Sequence, residues 1–292
     1  MTGPSGAALA MRPHVFIATP SYCGAPAMEH SRARHLNVLD LLRHRIAVSE
    51  ETLPGTYVHL GRNKLVSMFR ATTATHLFFW DDDVGGPGDG IRRLLEHMQS
   101  ERGGDRDIVG GVYPKKESVK DERGVPVFGR HKWPVKVLSG AEPDERGLFE
   151  CEGLPTGFML IRRGVIEAMV KAYATRIFFD DDGTPHYDLF PTGISPAMPH
   201  NEHGPCWWGE DYAFTAMARA LGFRAWMDPN MTFEHVGRHA WKANFHAECV
   251  APALAKREAQ TAAEEERRLQ AEQSLDAAVD STLDDMGVGR AA

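Results

Sequence analysis

The stretch His76–Val84, HLFFWDDDV, decides how the rest of the chain is read. Leu77-Phe78-Phe79-Trp80 is an apolar run of the length expected for a fully buried strand. Gly85-Gly86-Pro87-Gly88 ends it. Three carboxylates, Asp81, Asp82 and Asp83, stand between the two. Side chains of an extended chain alternate faces, so Asp81 and Asp83 can point the same way. Two carboxylates placed so need a cation between them or open water around them. An acidic turn after a buried strand looks the same, and the remainder of the chain has to discriminate.

Working outward, His14–Ala18 reads as a first buried strand ending at Thr19-Pro20-Ser21. A helix is expected from about His30 to Arg45, with Leu36, Val38, Leu39, Leu41 and Leu42 toward a sheet. Arg45–Val48 reads as a second strand and Thr52–Leu60 as loop or hairpin. Gly61–Ala71 reads as a helix burying Leu65, Met68 and Phe69. Beyond the triplet, Asp89–Glu101 is expected to be helical, with Ile91, Leu94, Leu95 and Met98 on one side. Asp107–Tyr113 follows as a strand. Residues 114–150 are polar and marked by Gly and Pro, with Val125–Phe128 and Val135–Leu138 as hairpin strands. Phe158–Ile161 reads as a strong strand and Arg163–Ala174 as a helix. Residues 175–206 read as loop-rich. Asp211–Leu221 is a helix stopped by Gly222, and Phe223–Met227 and Met231–Val236 are strands. Strands alternating with helices predict an α/β fold with a largely parallel sheet.

The expected organisation is a loose leader at 1–12, one domain over 13–250 with halves at 13–113 and 114–250, and a helix-prone, partly disordered tail at 251–292. The 292 residues are 42% apolar and 25% charged, in keeping with a globular core. A formal charge of −7 argues against broad, non-specific nucleic-acid binding. Cys23, Cys151, Cys206 and Cys249 are far apart and predict free thiols in a cytoplasmic protein. No run has the unbroken apolar length of a membrane span, and the first residues make a poor signal peptide.

Four features line up in order: the Thr19-Pro20 strand end, Arg62-Asn63 opening a helix, Asp81–Asp83, and Trp207-Trp208-Gly209-Glu210-Asp211 opening the DYAFTAMARALGF helix. A strand ending at Glu234-His235-Val236-Gly237 comes last. With Leu154-Pro155-Thr156-Gly157-Phe158-Met159-Leu160-Ile161, this order resembles the GT-A fold glycosyltransferases, family 2-like enzymes and their bacterial and phage relatives, over roughly residues 14–240. The resemblance implies a Rossmann-like, mostly parallel sheet flanked by helices, with a small antiparallel, loop-rich acceptor side and a C-terminal helical tail. It implies transfer of a sugar from a nucleotide diphosphate sugar, UDP- or GDP-linked, with Mn²⁺ or Mg²⁺ at the leaving diphosphate. Hard divalent ions of this kind suit carboxylate oxygens.

In the terms of that resemblance, Asp83 is the direct metal ligand. Asp81 holds the ribose or a water in the cation's shell, and His235 completes the set, with Glu234 and His239 as rival ligands. Thr19, Pro20, Arg62, Asn63, Asp81 and Asp82 fall on the donor side. Thr156 and Gly157 fall on the acceptor side, as do Trp207 and Trp208 where they are exposed as a stacking platform rather than buried in the core. Asp211, or else Glu210, is the base that takes the acceptor's proton in an inverting transfer. First-turn carboxylates are also favoured at any helix N-terminus. Lys115, Lys116 and Lys120 form a solvated basic face or touch phosphates. Residues 180–206 are a candidate lid. The acceptor is open: a glycan, a small molecule, a protein or a hydroxylated DNA base. Two other classes remain, a nucleotidyltransferase or metal-dependent phosphohydrolase, and a non-catalytic nucleotide-sugar binder. The absence of a Lys in TPSYCGAPAMEH after the first strand counts against a nucleotidyltransferase.

Overall fold

A computed structural model describes residues 12–99, 106–123, 126–194, 203–237 and 240–285. In chain order the elements are β1 (His14–Ser21), α1 (Met28–Arg43), β2 (Ala47–Pro54), α2 (Val58–Arg70), β3 (His76–Trp80), β4 (Val84–Gly85), α3 (Gly90–Met98) and β5 (Ile108–Gly111). There follow β6 (Ser118–Lys120), β7 (Pro126–His131), β8 (Lys136–Val137), β9 (Phe149–Gly153), β10 (Phe158–Arg162), α4 (Arg163–Ala172), β11 (Ile177–Phe179) and β12 (Pro185–Tyr187). The last are α5 (Glu210–Ala220), β13 (Ala225–Asp228), β14 (Thr232–Val236), β15 (Ala240–Asn244) and α6 (Ala251–Asp285).

One large sheet runs β2-β1-β3-β10-β5-β13-β9-β8, Rossmann-like and flanked by helices, so the fold is the α/β class expected. Strands β1, β2 and β3 are parallel, as are β5 and β13. β10 is antiparallel to both of its neighbours, β3 and β5. That reversal matters for the site. Phe158 pairs with Trp80, so the start of β10 lies beside the end of β3. Thr156-Gly157 is thereby delivered to the Asp81 end.

β3 is apolar from Leu77 to Trp80 because both of its faces are covered there, as central strands of such sheets require. Leu77 and Phe79 point to a core with Leu65, Phe69, Phe190 and Phe214. Phe78 and Trp80 point the other way, to Val15, Ile17, Ile91, Leu94 and Phe158. Each of the four is fully buried, at about 1.5–3 kcal/mol of transfer free energy apiece. On α3, Ile91, Leu94, Leu95 and Met98 are buried as their spacing predicts.

Several expectations are corrected. On α1 the buried residues are His30, Ala33, Asn37 and Leu41, while Leu36, Leu39 and Leu42 are exposed. The polar Asn37 goes inside because its amide binds the Ala33 and Pro87 carbonyls and accepts from the Ile91 N–H. Met68 is also exposed, and Val66 takes the buried place on α2. β2 runs on to Pro54 where loop was expected, because the longer β1 pairs with it up to Ser21. β7 pairs with β6, whereas β8 joins the large sheet through β9. The expected strand at Val125–Phe128 and the expected end of the helix at Glu101 fall partly outside the described residues.

The chain divides into two compact units, Met1–Phe245 and His246–Ala292. The second contains α6, whose side chains over 251–270 are nearly all exposed. No described helix is long and apolar enough to cross a membrane.

Candidate active site

The triplet is held by backbone hydrogen bonds from three distant segments. The Asp81 N–H donates to the Gly157 carbonyl at 3.1 Å. The Asp82 carbonyl accepts from the Ala27 N–H, and that of Asp83 from the Val236 N–H, both at 2.8 Å. Beneath them the Trp80 indole N–H donates to the Val84 carbonyl at 2.6 Å, fixing the turn that carries the three carboxylates.

Each carboxylate has its own partner. Asp81 Oδ1 accepts from Arg62 Nη2 at 2.9 Å. Asp82 Oδ2 accepts from the Ser21 hydroxyl at 2.5 Å. Asp83 accepts from the Lys116 ammonium and faces His235 Nε2 at 3.4 Å. Burial works to raise the Asp83 pKa, but His235 and Lys116 outweigh it and hold the carboxyl below its ordinary value. His235 gives its Nδ1 proton to the Pro114 carbonyl at 2.7 Å and packs edge-on to Tyr113 at 4.9 Å. With Nδ1 engaged by the Pro114 carbonyl, Nε2 is aimed at Asp83; a cation bound there would take the place of the Nε2 proton, the usual arrangement of a metal-ligating imidazole.

Arg62 joins the two acidic centres. It is 2% exposed, within the second turn of α2. Besides Asp81 it lies 3.7 Å from Glu210 Oε1, with its guanidinium 5.4 Å from the centre of the Phe79 ring. Burial opposes its charge, but Asp81 and Glu210 more than offset this and raise its pKa. Two of its nitrogens, Nε and Nη1, are buried without a hydrogen-bond partner. The neighbouring Asn63 turns elsewhere. Its side-chain oxygen accepts from the Leu189 and Phe190 N–H groups at 2.9 and 3.1 Å, and its nitrogen donates to Asp188. Asn63 thus anchors residues 188–190, part of the expected lid. Residues 195–202 of that lid lie outside the described residues, as does His239.

Glu210 and Asp211 open α5. Burial and the adjacent Glu210 push the Asp211 carboxyl up to about 6. Tyr113, buried among Asp81 and Asp211, is pushed well above 10 and stays a neutral phenol. Its oxygen accepts from the Gly157 N–H at 3.2 Å. Gly157 has to be glycine here, since a Cβ would fall on the Tyr113 hydroxyl and the Asp81 carboxylate. Thr156 and Thr19 are fully buried, each with a hydroxyl lacking a partner.

The two tryptophans divide between the stacking-platform and buried-core readings that the sequence leaves open. Trp207 is 72% exposed, but Trp208 is buried, with the Lys136 ammonium 4.4 Å from its ring centre. Trp208 turns in because its backbone pairs with Gly193 in both directions. Glu234 is engaged by Lys242 at 3.0 Å. Lys115 and Lys132 flank Glu117 rather than presenting an unbroken basic face.

Pro20, Ser21, Tyr22, Tyr57 and the triplet line an open cleft of about 320 Å³. It lies at the carboxyl ends of β1 and β3, where open α/β sheets bind ligands. Tyr22 and Tyr57, 78% and 70% exposed, offer flat faces there. Sequence reasoning missed both, although Tyr22 directly follows the Thr-Pro-Ser strand end. It also missed Tyr113, whose role depends on the β10 reversal. Among the described residues no three His, Cys, Asp or Glu side chains converge as a ready-made metal cage. Asp83 and His235, 3.4 Å apart, are a candidate two-ligand set instead. Such a set suits a cation that keeps waters and takes its remaining ligands from substrate phosphates.

No family model matches this chain, and no curated protein matches it. Among solved structures, A197 from STIV is similar with a TM-score of 0.42 and 15% identity, over 77% of this chain and 86% of that one. A glycosyltransferase involved in the glycosylation of the major capsid of PBCV-1 is similar with a TM-score of 0.29 and 8% identity, over 53% of this chain and 63% of that one. At these scores neither likeness carries an argument, and the functional reading stands on the residues of the cleft.

Proposed function

We propose that this chain is a metal-dependent glycosyltransferase that moves a sugar from a nucleotide diphosphate sugar to a hydroxyl acceptor with inversion. One observation carries the reading. Arg62 bridges Asp81 to Glu210, which brings the acidic triplet and the Glu-Asp pair to one guanidinium although they are far apart in sequence.

Asp83 and His235 would hold Mn²⁺ or Mg²⁺. When bound, the ion supplies positive charge to the departing diphosphate. The other roles belong to the chain itself. Tyr22 and Tyr57 receive the nucleotide base on their exposed faces. Ser21 and Arg62 hold Asp82 and Asp81 in place. Gly157 lets the acceptor strand approach the triplet without a side chain in the way. Trp207 offers a face to the acceptor. Asp211 takes the proton from the attacking hydroxyl. Its raised pKa makes it a better base than an ordinary aspartate while leaving it ionised near neutral pH. Glu210 and Arg62 set the charge around it.

The test is a thermal-shift panel of UDP-, GDP-, CDP- and dTDP-sugars with and without Mn²⁺. A ligand that binds only the folded form raises the melting point by mass action. A UDP- or GDP-sugar should do so with Mn²⁺, and Asp83→Ala should abolish the effect. No shift with any donor would sink the reading.

A further inference from the structure

We infer that Lys116 is the protein's own counter-ion at the cation position, and that it exchanges Asp83 for the donor diphosphate as cation and donor bind. The inference rests on the proposed function and adds a coupling between its two ligands.

The three carboxylates of the triplet are neutralised or bonded by partners of different permanence. Arg62, on Asp81, and Ser21, on Asp82, are buried at 2% and 1% exposure. Lys116, on Asp83, has a side chain 34% exposed at the end of a flexible stem. Its backbone is anchored by the two residues just before it. The Pro114 carbonyl accepts from His235, and the Lys115 N–H donates to the Lys132 carbonyl at 2.7 Å. The ammonium can therefore turn while its anchor stays still. Glu117, the adjacent carboxylate, is already engaged by Lys132 at 3.1 Å and Lys115 at 4.0 Å. Lys116 thus holds Asp83, which itself lines the open cleft.

A divalent ion at Asp83 and His235 would share a carboxylate with an ammonium. Two cations a few ångströms apart in a partly buried site repel strongly, so Lys116 has to leave. Its departure is unfavourable while the cleft holds only water, and favourable once a diphosphate supplies a new anionic partner. Lys116 therefore lowers cation affinity in the free protein and raises it when a nucleoside diphosphate is present. Such coupling is reciprocal: each ligand tightens the other by the same factor.

The experiment is Mn²⁺ binding to the full chain, read as loss of the free-ion paramagnetic resonance signal, with and without UDP or GDP. Lys116→Met keeps the length of the side chain and removes its charge, at a position exposed enough that folding is not at stake. It should bind Mn²⁺ about two- to fivefold more tightly than the wild type without nucleotide, the worth of one partly exposed ion pair. The extra tightening that UDP or GDP confers should shrink by the same factor. Unchanged or weaker Mn²⁺ binding in Lys116→Met, with Asp83→Asn abolishing binding, overturns the inference and leaves the cation site intact. Asp83→Asn binding Mn²⁺ as the wild type does overturns the cation site and the inference with it.

Discussion

Replacing Asp211 by asparagine separates what its carboxyl does for the reaction from what it does to the fold. In the folded chain the pKa is about 6 against an ordinary 3.8, because burial and Glu210 both oppose the charge. A shift of about two units corresponds to about 3 kcal/mol, at about 1.36 kcal/mol per unit. The folded state holds this proton more tightly than the unfolded chain does. The stability contributed by the neutral carboxyl is therefore fully present below about pH 4 and is lost as the pH rises through about 6. Above pH 7 the wild type bears the whole deficit. Asp211→Asn is neutral at every pH, and its amide oxygen can still accept from the Tyr212 N–H, now bonded at 2.7 Å. The variant should be more stable than the wild type by up to about 3 kcal/mol near pH 8 and equal to it near pH 4. At roughly 2 °C per kcal/mol for a chain of this size, that is a Tm gain of about 6 °C. Paired melts across this pH range read the difference directly. Turnover of donor and acceptor should fall by about 10²–10⁴-fold, the usual contribution of a general base. A variant less stable than the wild type at pH 8, or a gap that does not close toward pH 4, refutes the account of burial. Near-normal turnover refutes the assignment of the base.

The same ionisation should appear in the wild-type rate, with kcat/KM rising as the pH passes through about 6 and Asp211 loses its proton; a pH–rate profile checks this. Gly157→Ala should cost about 1–3 kcal/mol through overpacking against Tyr113 and Asp81, and should lower turnover even at saturating donor, as melts and steady-state kinetics will read. Asn63→Ala leaves the buried Leu189 and Phe190 N–H groups without their acceptor and should cost about 2–4 kcal/mol, with hydrogen exchange speeding up at those two amides. Trp207→Ala should leave stability within about 0.5 kcal/mol and raise the acceptor KM, whereas Trp208→Ala should cost about 3–5 kcal/mol; denaturant melts separate the two. Chelation by EDTA should stop transfer, and added Mn²⁺ should restore it.

What could be read from the sequence followed from periodicity and punctuation. The buried β3 run, the four-residue face of α3 and the stop of α5 at Gly222, which adopts a φ of +89°, are local properties of the chain. The grouping of triplet, Glu-Asp pair and late histidine was legible only as an order of motifs, because order says nothing about distance. The failures have one cause. Leu36, Leu39 and Leu42 carry a helical spacing, yet Asn37 takes the inner place because it satisfies backbone groups that no spacing announces. The antiparallel insertion of β10 is likewise a long-range choice, made by pairing with β3 and β5. With it went the place of Tyr113 beside Gly157.

The backbone bonds around Asp81–Asp83 bear on how the molecule assembles. Their partners come from near the beginning, the middle and the far end of the first unit: Ala27, Gly157 and Val236. Contacts so distant along the chain form late, since long loops must close first. A nascent or truncated chain lacking β14 has no third strut for the acidic turn, so the ordered turn should emerge abruptly, near completion of that unit. Ligand capture by such a turn would then double as an inspection stamp for correctly finished molecules.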